Sequence, residues 1–320
     1  MKIVILDGRA LNPGDLSYDC INQFGDVDLY QHTDSKEETI ARIGDAQIVL
    51  TNKVPITEDI LSACPNIRLI CVLATGYNIV DCDAAARRQI PVCNVPSYGT
   101  AAVAQFTLAL MLELCHRIGL HDAVVHDGKW CRCANFCFWD TPQMELGGKT
   151  IGIIGFGRIG QAVARLAAAF GMNVLAYSRT QRPVEGLDVK YVDLDTLLAN
   201  SDFVSLHCPL FPETEKLINK QTISQMKDGA YLINTSRGGV LDEQAVADAL
   251  RSGKLAGAAV DVVSQEPMKE ENPLLTAPNC IITPHIAWAP TESRQRLLDC
   301  VVENIRCFLK GTPQNVVNLR

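Results

Sequence analysis

The stretch TIGIIGFGRIGQAVARLAAAFG, residues 150–171, constrains the fold more than any other part of the chain. An apolar run able to form a buried strand meets a glycine turn of spacing G-x-G-x-x-G, and the turn opens a helix-length segment that Gly171 can close. Alone, three glycines say little. Between a strand and a helix each does something different. Gly155 turns tightly, Gly157 lets backbone approach a pyrophosphate, and Gly160 permits close helix–sheet packing. The helix start, at Arg158 and Ile159, then turns a positive dipole end and backbone N–H groups toward phosphate oxygens. A dinucleotide site is expected here; a tight turn without a ligand is the plain alternative.

Two series of strand-like runs surround this motif. KIVIL, AQIVL, IRLICVLA and IPVCNV alternate with helix-capable segments over residues 1–96; TIGIIG, NVLAYS, FVSLH, AYLINTS, AGAAVDVV and CIITPH follow from Thr150. Such near-continuous apolar runs suit parallel strands covered on both faces. At 320 residues the chain exceeds one compact core. Between the series, TAAVAQFTLALMLELCHRIGLHDAV predicts one buried helix crossing from the first domain into the second. RQRLLDCVVENIRCFLKG puts Leu298, Val302, Ile305 and Leu309 on one stripe, stops at Gly311, and is expected to pack back on the first domain. The fold class is therefore α/β, with two Rossmann-like or flavodoxin-like doubly wound domains and a cleft between them. Residues 1–100 with 287–320 would form a discontinuous substrate domain, and residues 101–286 the dinucleotide-binding domain.

Composition narrows the partners. A formal charge of −7 and a pI near 5.4 provide no basic field for nucleic acid or anionic lipid. The start, MKIVILDG, has neither a charged leader nor a cleavage site, and no long apolar run follows, so a cytoplasmic location is expected. Thirteen cysteines, mostly scattered, read as reduced small hydrophobes. CRCANFC, with Cys131, Cys133 and Cys137 downstream of His121 and His126, lacks paired C-x-x-C knuckles, and no metal is expected.

About 20 residues beyond the glycine turn, a site that prefers NAD places a carboxylate on the ribose 2′-hydroxyl. Here stand Ser178, Arg179 and Thr180. A carboxylate would repel a 2′-phosphate, whereas a guanidinium pairs with it and hydroxyls donate to it. NADP(H) is the preferred coenzyme on this reading, with NAD(H) possible if Arg179 is a solvated surface charge.

In a doubly wound sheet the ligand lies beyond the carboxyl ends of the strands. Those ends carry Arg237 after AYLINTS, Asp261 and Glu266 after AGAAV, and His285 after CIIT. Together they suit hydride transfer between a nicotinamide and a carbonyl carbon. His285 would hand a proton to the ketone oxygen, Glu266 would orient the imidazole and stabilise its protonated form, and Arg237 would hold a carboxylate beside the carbonyl. Asp261 suits receiving the nicotinamide amide. Each residue alone could be a structural ion pair or a satisfied polar group; the set behind a dinucleotide turn is harder to explain that way.

GIIGFGRIGQAVA, HCPLFPETEKLIN, LINTSRGGVLDEQAVADAL, AAVDVVSQEP and ITPHIAW resemble, in order and spacing, the D-isomer-specific 2-hydroxyacid dehydrogenases. Within that family the sequence is similar to the hydroxypyruvate reductase (glycerate dehydrogenase) and glyoxylate reductase branch. The resemblance implies reduction of a small 2-keto acid, with Arg237, Glu266 and His285 as the catalytic set. It implies that Thr75 and Gly76, in LATGY, offer backbone N–H groups to the substrate carboxylate, and that Val103 and Thr107 lie near the nicotinamide. It further places Thr235 among the coenzyme contacts and His207, Pro209 and Thr214 on the adenosine side. A homodimer joined through the coenzyme domain is implied, with FCFWD near the junction and Trp139 reaching a substrate pocket. D-lactate-type and 3-phosphoglycerate-type substrates, and a nicotinamide-sensing corepressor-like role, are the alternatives.

Overall fold

A computed structural model describes residues 1–319. The chain divides into two compact units, one of residues 1–99 with 289–320 and one of residues 100–288. The first holds a five-stranded sheet: β1 (Lys2–Ile5), β2 (Asp26–Leu29), β3 (Ile48–Thr51), β4 (Leu69–Val72) and β5 (Val92–Cys93). Every pairing is parallel and the order is β2-β1-β3-β4-β5, the flavodoxin-like doubly wound arrangement. Central strands β3 and β4 are buried throughout, as their unbroken apolar runs require.

The helix Thr291–Leu309, from the far end of the chain, belongs to this first unit. Buried Asn304 donates to the Asn94 carbonyl at 3.0 Å, and Arg294 forks onto both carboxylate oxygens of Asp15 at 2.7 and 2.6 Å. That guanidinium holds the Asp15 carboxyl down to about 2. The buried face comprises Leu297, Leu298, Val301, Val302 and Ile305, and Leu309 is exposed. Three members of the expected stripe, Leu298, Val302 and Ile305, are therefore buried, and the stripe ends one turn early, before Leu309.

The second unit holds seven strands: β6 (Thr150–Ile154), β7 (Asn173–Tyr177), β8 (Lys190–Tyr191), β9 (Phe203–Leu206), β10 (Ala230–Asn234), β11 (Leu255–Val260) and β12 (Cys280–Ile282). All pair in parallel, in the order β12-β11-β10-β9-β6-β7-β8. Successive side chains enter opposite faces: Leu232 and Val260 pack with Leu197 and Val246, while Ile233 and Ala259 pack with Met111 and Val163. Strand order reverses between β6 and β9, the point where a doubly wound sheet opens a crevice.

The segment expected as one buried helix is two. Thr100–His116 is largely buried, but Arg117 adopts φ +48° and turns the chain by 57° into Ile118–His126, which buries no residue. The Arg117 guanidinium is tied to Asn279 Oδ1 at 3.0 Å, so the break is anchored to the residue that precedes the edge strand β12. Among the described residues no single helix is long and apolar enough to cross a membrane.

Candidate active site

The glycine turn lies at the strand-order reversal. Gly155 sits at φ +94°, and a Cβ there would come within 2.5 Å of the Cys208 amide nitrogen beyond β9, so any other residue would push β6 and β9 apart. Gly157 caps the helix Arg158–Ala169, and a Cβ there would meet nothing within 4 Å, so the space before the start of that helix is open at Gly157.

A cavity of about 220 Å³ adjoins this turn, lined by Ile159, His207, Cys208, Pro209, Thr235, Ser236 and Arg237. Five of these residues are expected from the sequence; Cys208 and Ser236 are not, although each neighbours one that is. Ser205 Oγ and His207 Nε2 are paired at 2.9 Å, whereas His207 Nδ1 is buried and has no partner among the described residues. Burial pushes the imidazole down to about 3, so it is neutral at ordinary pH. An orphaned polar atom beside a glycine cradle and an open helix N-terminus fits a phosphate-bearing, hydroxyl-rich ligand such as a nicotinamide dinucleotide.

Thr235 reaches across to the helix Thr100–His116. Thr107 donates its hydroxyl proton to the Val103 carbonyl at 2.8 Å, so in the 3.0 Å Thr107–Thr235 pair Thr235 is the donor. Buried Asn234 shapes the turn that follows β10: its amide donates to the Arg237 carbonyl at 2.9 Å, and its oxygen accepts from the Ser236 amide and hydroxyl at 3.0 and 2.8 Å. Arg237 is exposed, with one guanidinium nitrogen on the Ser236 carbonyl at 2.7 Å.

The ends of β11 and β12 form a second group. His285 Nδ1 meets Glu266 Oε2 at 2.7 Å; a carboxylate acceptor requires the proton on Nδ1, leaving Nε2 for chemistry. Asp261 is buried, and burial raises its carboxyl above the ordinary range against the opposing pull of its hydrogen bonds. Those bonds come from the Thr283 hydroxyl at 2.6 Å and from the Ile286 and Ala287 amides at 2.9 and 2.8 Å. The Asp261 carboxylate thus fastens the turn that presents His285, a second role beside the amide-receiving one expected from sequence. His285 itself adopts φ +56°, which costs a non-glycine residue about 1–2 kcal/mol, and its carbonyl accepts from Trp288 Nε1 at 2.8 Å.

The remaining candidates lie elsewhere. Ser178, Arg179 and Thr180 follow β7, and the Arg179 guanidinium sits over the Phe211 ring, 5.4 Å from its centre. Thr214 folds the loop that bears Phe211, donating to the Pro209 carbonyl at 2.7 Å and accepting from the Phe211 amide at 2.8 Å. Thr75 and Gly76 follow β4 in the first unit; the Thr75 hydroxyl donates to the Val95 carbonyl at 2.8 Å and its carbonyl accepts from Asn94 Nδ2 at 2.7 Å. Trp139 lines a different cavity of about 680 Å³, with His116, Ile118 and His121, which shares no lining residue with the first.

Residues 108–287 match the family model of the D-isomer specific 2-hydroxyacid dehydrogenase NAD binding domain. The chain belongs to the D-isomer-specific 2-hydroxyacid dehydrogenases. It is 56% identical to a hydroxypyruvate reductase of Blautia hydrogenotrophica, over 99% of this chain and 100% of that one. Its fold is similar to an acyclic imino acid reductase in complex with NADPH and D-Arg, at TM-score 0.84 and 30% identity, covering 99% and 100% of the two chains. It is also similar to the D-lactate dehydrogenase of Aquifex aeolicus complexed with NAD and lactic acid, at TM-score 0.82 and 31% identity, covering 98% and 96%. This dehydrogenase is accordingly an oxidoreductase with a nicotinamide coenzyme.

Proposed function

We propose that the enzyme reduces hydroxypyruvate or glyoxylate to the D-2-hydroxy acid with NADPH, and that Arg237, Glu266 and His285 do the chemistry. The 2.7 Å pairing of His285 with Glu266, at the ends of adjacent strands, is the observation that carries this reading. The bound reduced nicotinamide supplies the hydride. His285 Nε2 donates its proton to the ketone oxygen as negative charge builds there, while Glu266 accepts from Nδ1–H, fixes the tautomer and stabilises the imidazolium form. Arg237 has donors free of its own turn to fork onto the substrate carboxylate. Thr75 and Gly76, after β4 in the first unit, are the further substrate-binding residues of this reading. The hydroxypyruvate reductase relative supports the substrate class.

Both coenzymes occur among the similar structures, so the choice rests on the end of β7. Ser178, Arg179 and Thr180 offer a cation and two hydroxyls to a 2′-phosphate, and the Phe211 ring supports the guanidinium plane. His207, Pro209 and Thr214 border the adenosine side, the glycine turn takes the pyrophosphate, and Val103, Thr107, Thr235 and Asp261 stand by the nicotinamide. A cytoplasmic homodimer is part of the same reading. Ile118, Leu120, Trp130, Phe136 and Trp139 are exposed apolar side chains close together in sequence, of the kind a second copy covers. A panel of 2-keto acids assayed with NADPH and NADH tests the whole. Hydroxypyruvate or glyoxylate with NADPH should exceed pyruvate or NADH by about tenfold or more in kcat/KM; the reverse order would overturn it.

A further inference from the structure

Glu243 stands one residue inside the helix Glu243–Arg251, where an acid ordinarily complements the helix dipole. Its side chain instead reaches 21 residues along the sequence. One carboxylate oxygen accepts from the Ser264 amide at 2.7 Å; the other accepts from the Ser264 hydroxyl at 2.8 Å and from Asn272 Nδ2 at 3.0 Å. Ser264 lies two residues before Glu266. The same peptide also lies against the Gly238 backbone: a Cβ on Gly238, next to Arg237, would fall 1.8 Å from the Val263 carbonyl carbon and 2.3 Å from the Ser264 nitrogen. Only a glycine lets the turn after β10 lie this close to the loop after β11. Within that loop the Val263 amide reaches Glu266 Oε1 at 3.3 Å, and Glu266 Oε2 holds His285.

We propose that Glu243 is a positioning residue for proton transfer: it clamps the Val263–Ser264 peptide against Gly238 and so sets where Glu266 meets His285 relative to Arg237. The proposal rests on the catalytic reading above. A carboxylate that accepts three hydrogen bonds fixes a loop whose side chains are exposed from Ser264 to Pro267, and small displacements of a reacting group are costly in rate.

The test is steady-state kinetics with hydroxypyruvate and NADPH. Glu243→Ala should lower kcat about tenfold while the coenzyme KM stays within about twofold. Glu243→Asp keeps the charge at the helix N-terminus but shortens the reach, and should behave like Glu243→Ala, also serving if the alanine variant does not fold. Glu243→Gln retains an acceptor for the Ser264 amide and should recover kcat to within about threefold of wild type. In a Glu266→Gln background, Glu243→Ala should lower kcat by no more than about twofold, because the group it positions is gone. Wild-type kcat in Glu243→Asp, or the same fold-loss in both backgrounds, would overturn the proposal. Wild-type turnover in Glu266→Gln itself would overturn the catalytic reading, and the proposal with it.

Discussion

The ends of β11 and β12 and the end of β7 are built in opposite ways. Beyond β11 and β12, Asp261 takes three hydrogen bonds from the turn around His285, Glu266 takes the imidazole, and Glu243 takes the loop in between. Beyond β7, Arg179 is exposed and rests on a ring that is exposed as well. A group that moves a proton must be fixed to a fraction of an ångström before reaction, and rigid neighbours supply that. A group that pairs with a dianionic phosphate tolerates several geometries, because charge attraction is broad and a flexible arm can follow it. On the proposed function, the first end would govern rate and the second which coenzyme enters.

This contrast yields graded expectations. His285→Ala should lower kcat by about 100-fold or more, with coenzyme dissociation constants unchanged by fluorescence titration; near-normal turnover would break the comparison at its strongest point. Glu266→Gln keeps the shape but not the charge, and should lower kcat by about 10-fold or more with a small change in KM for the keto acid. Arg179→Ala should raise the NADPH KM by about tenfold and leave kcat and the NADH constants near wild type. Equal losses with both coenzymes would show that Arg179 does not read the 2′-phosphate.

The smallest effect concerns stability. Burial holds the His207 imidazole down to about 3, whereas in the unfolded chain it takes a proton near the ordinary 6.5. The unfolded state therefore binds more protons as pH falls through 6.5, and folding stability declines from there toward pH 3. In coenzyme-free protein, the loss of Tm between pH 7 and pH 5 should be about 2 °C smaller in His207→Gln than in wild type. An identical loss would mean that His207 takes a proton without unfolding.

Much of this was legible in the sequence because buried parallel strands and a glycine turn leave local marks. β1, β3 to β7 and β9 to β12 all lie in the largely apolar runs read from the sequence. The edge strand β2, DVDL, is half-solvated with aspartates at alternate positions, and β8 is the two residues Lys190 and Tyr191, so neither shows such a run. The break at Arg117 depends on one left-handed residue and on an anchor at Asn279, 162 positions away, which periodicity does not register. At the site, the residue types beyond the strand ends pointed to Arg237, Glu266 and His285. Their support was not legible: Glu243 reads as an ordinary first-turn acid, and the three bonds on Asp261 come from residues 22 to 26 positions on. The close contact behind Gly238 was visible only as one glycine of a pair.

The most direct test of the account is the structure of the dead-end complex with NADP⁺ and hydroxypyruvate. The fixed strand ends should place His285 Nε2 within about 3 Å of the ketone oxygen, with the substrate carboxylate forked on Arg237. A bound keto acid whose ketone oxygen faces another donor, with Nε2 turned away from it, would contradict the account.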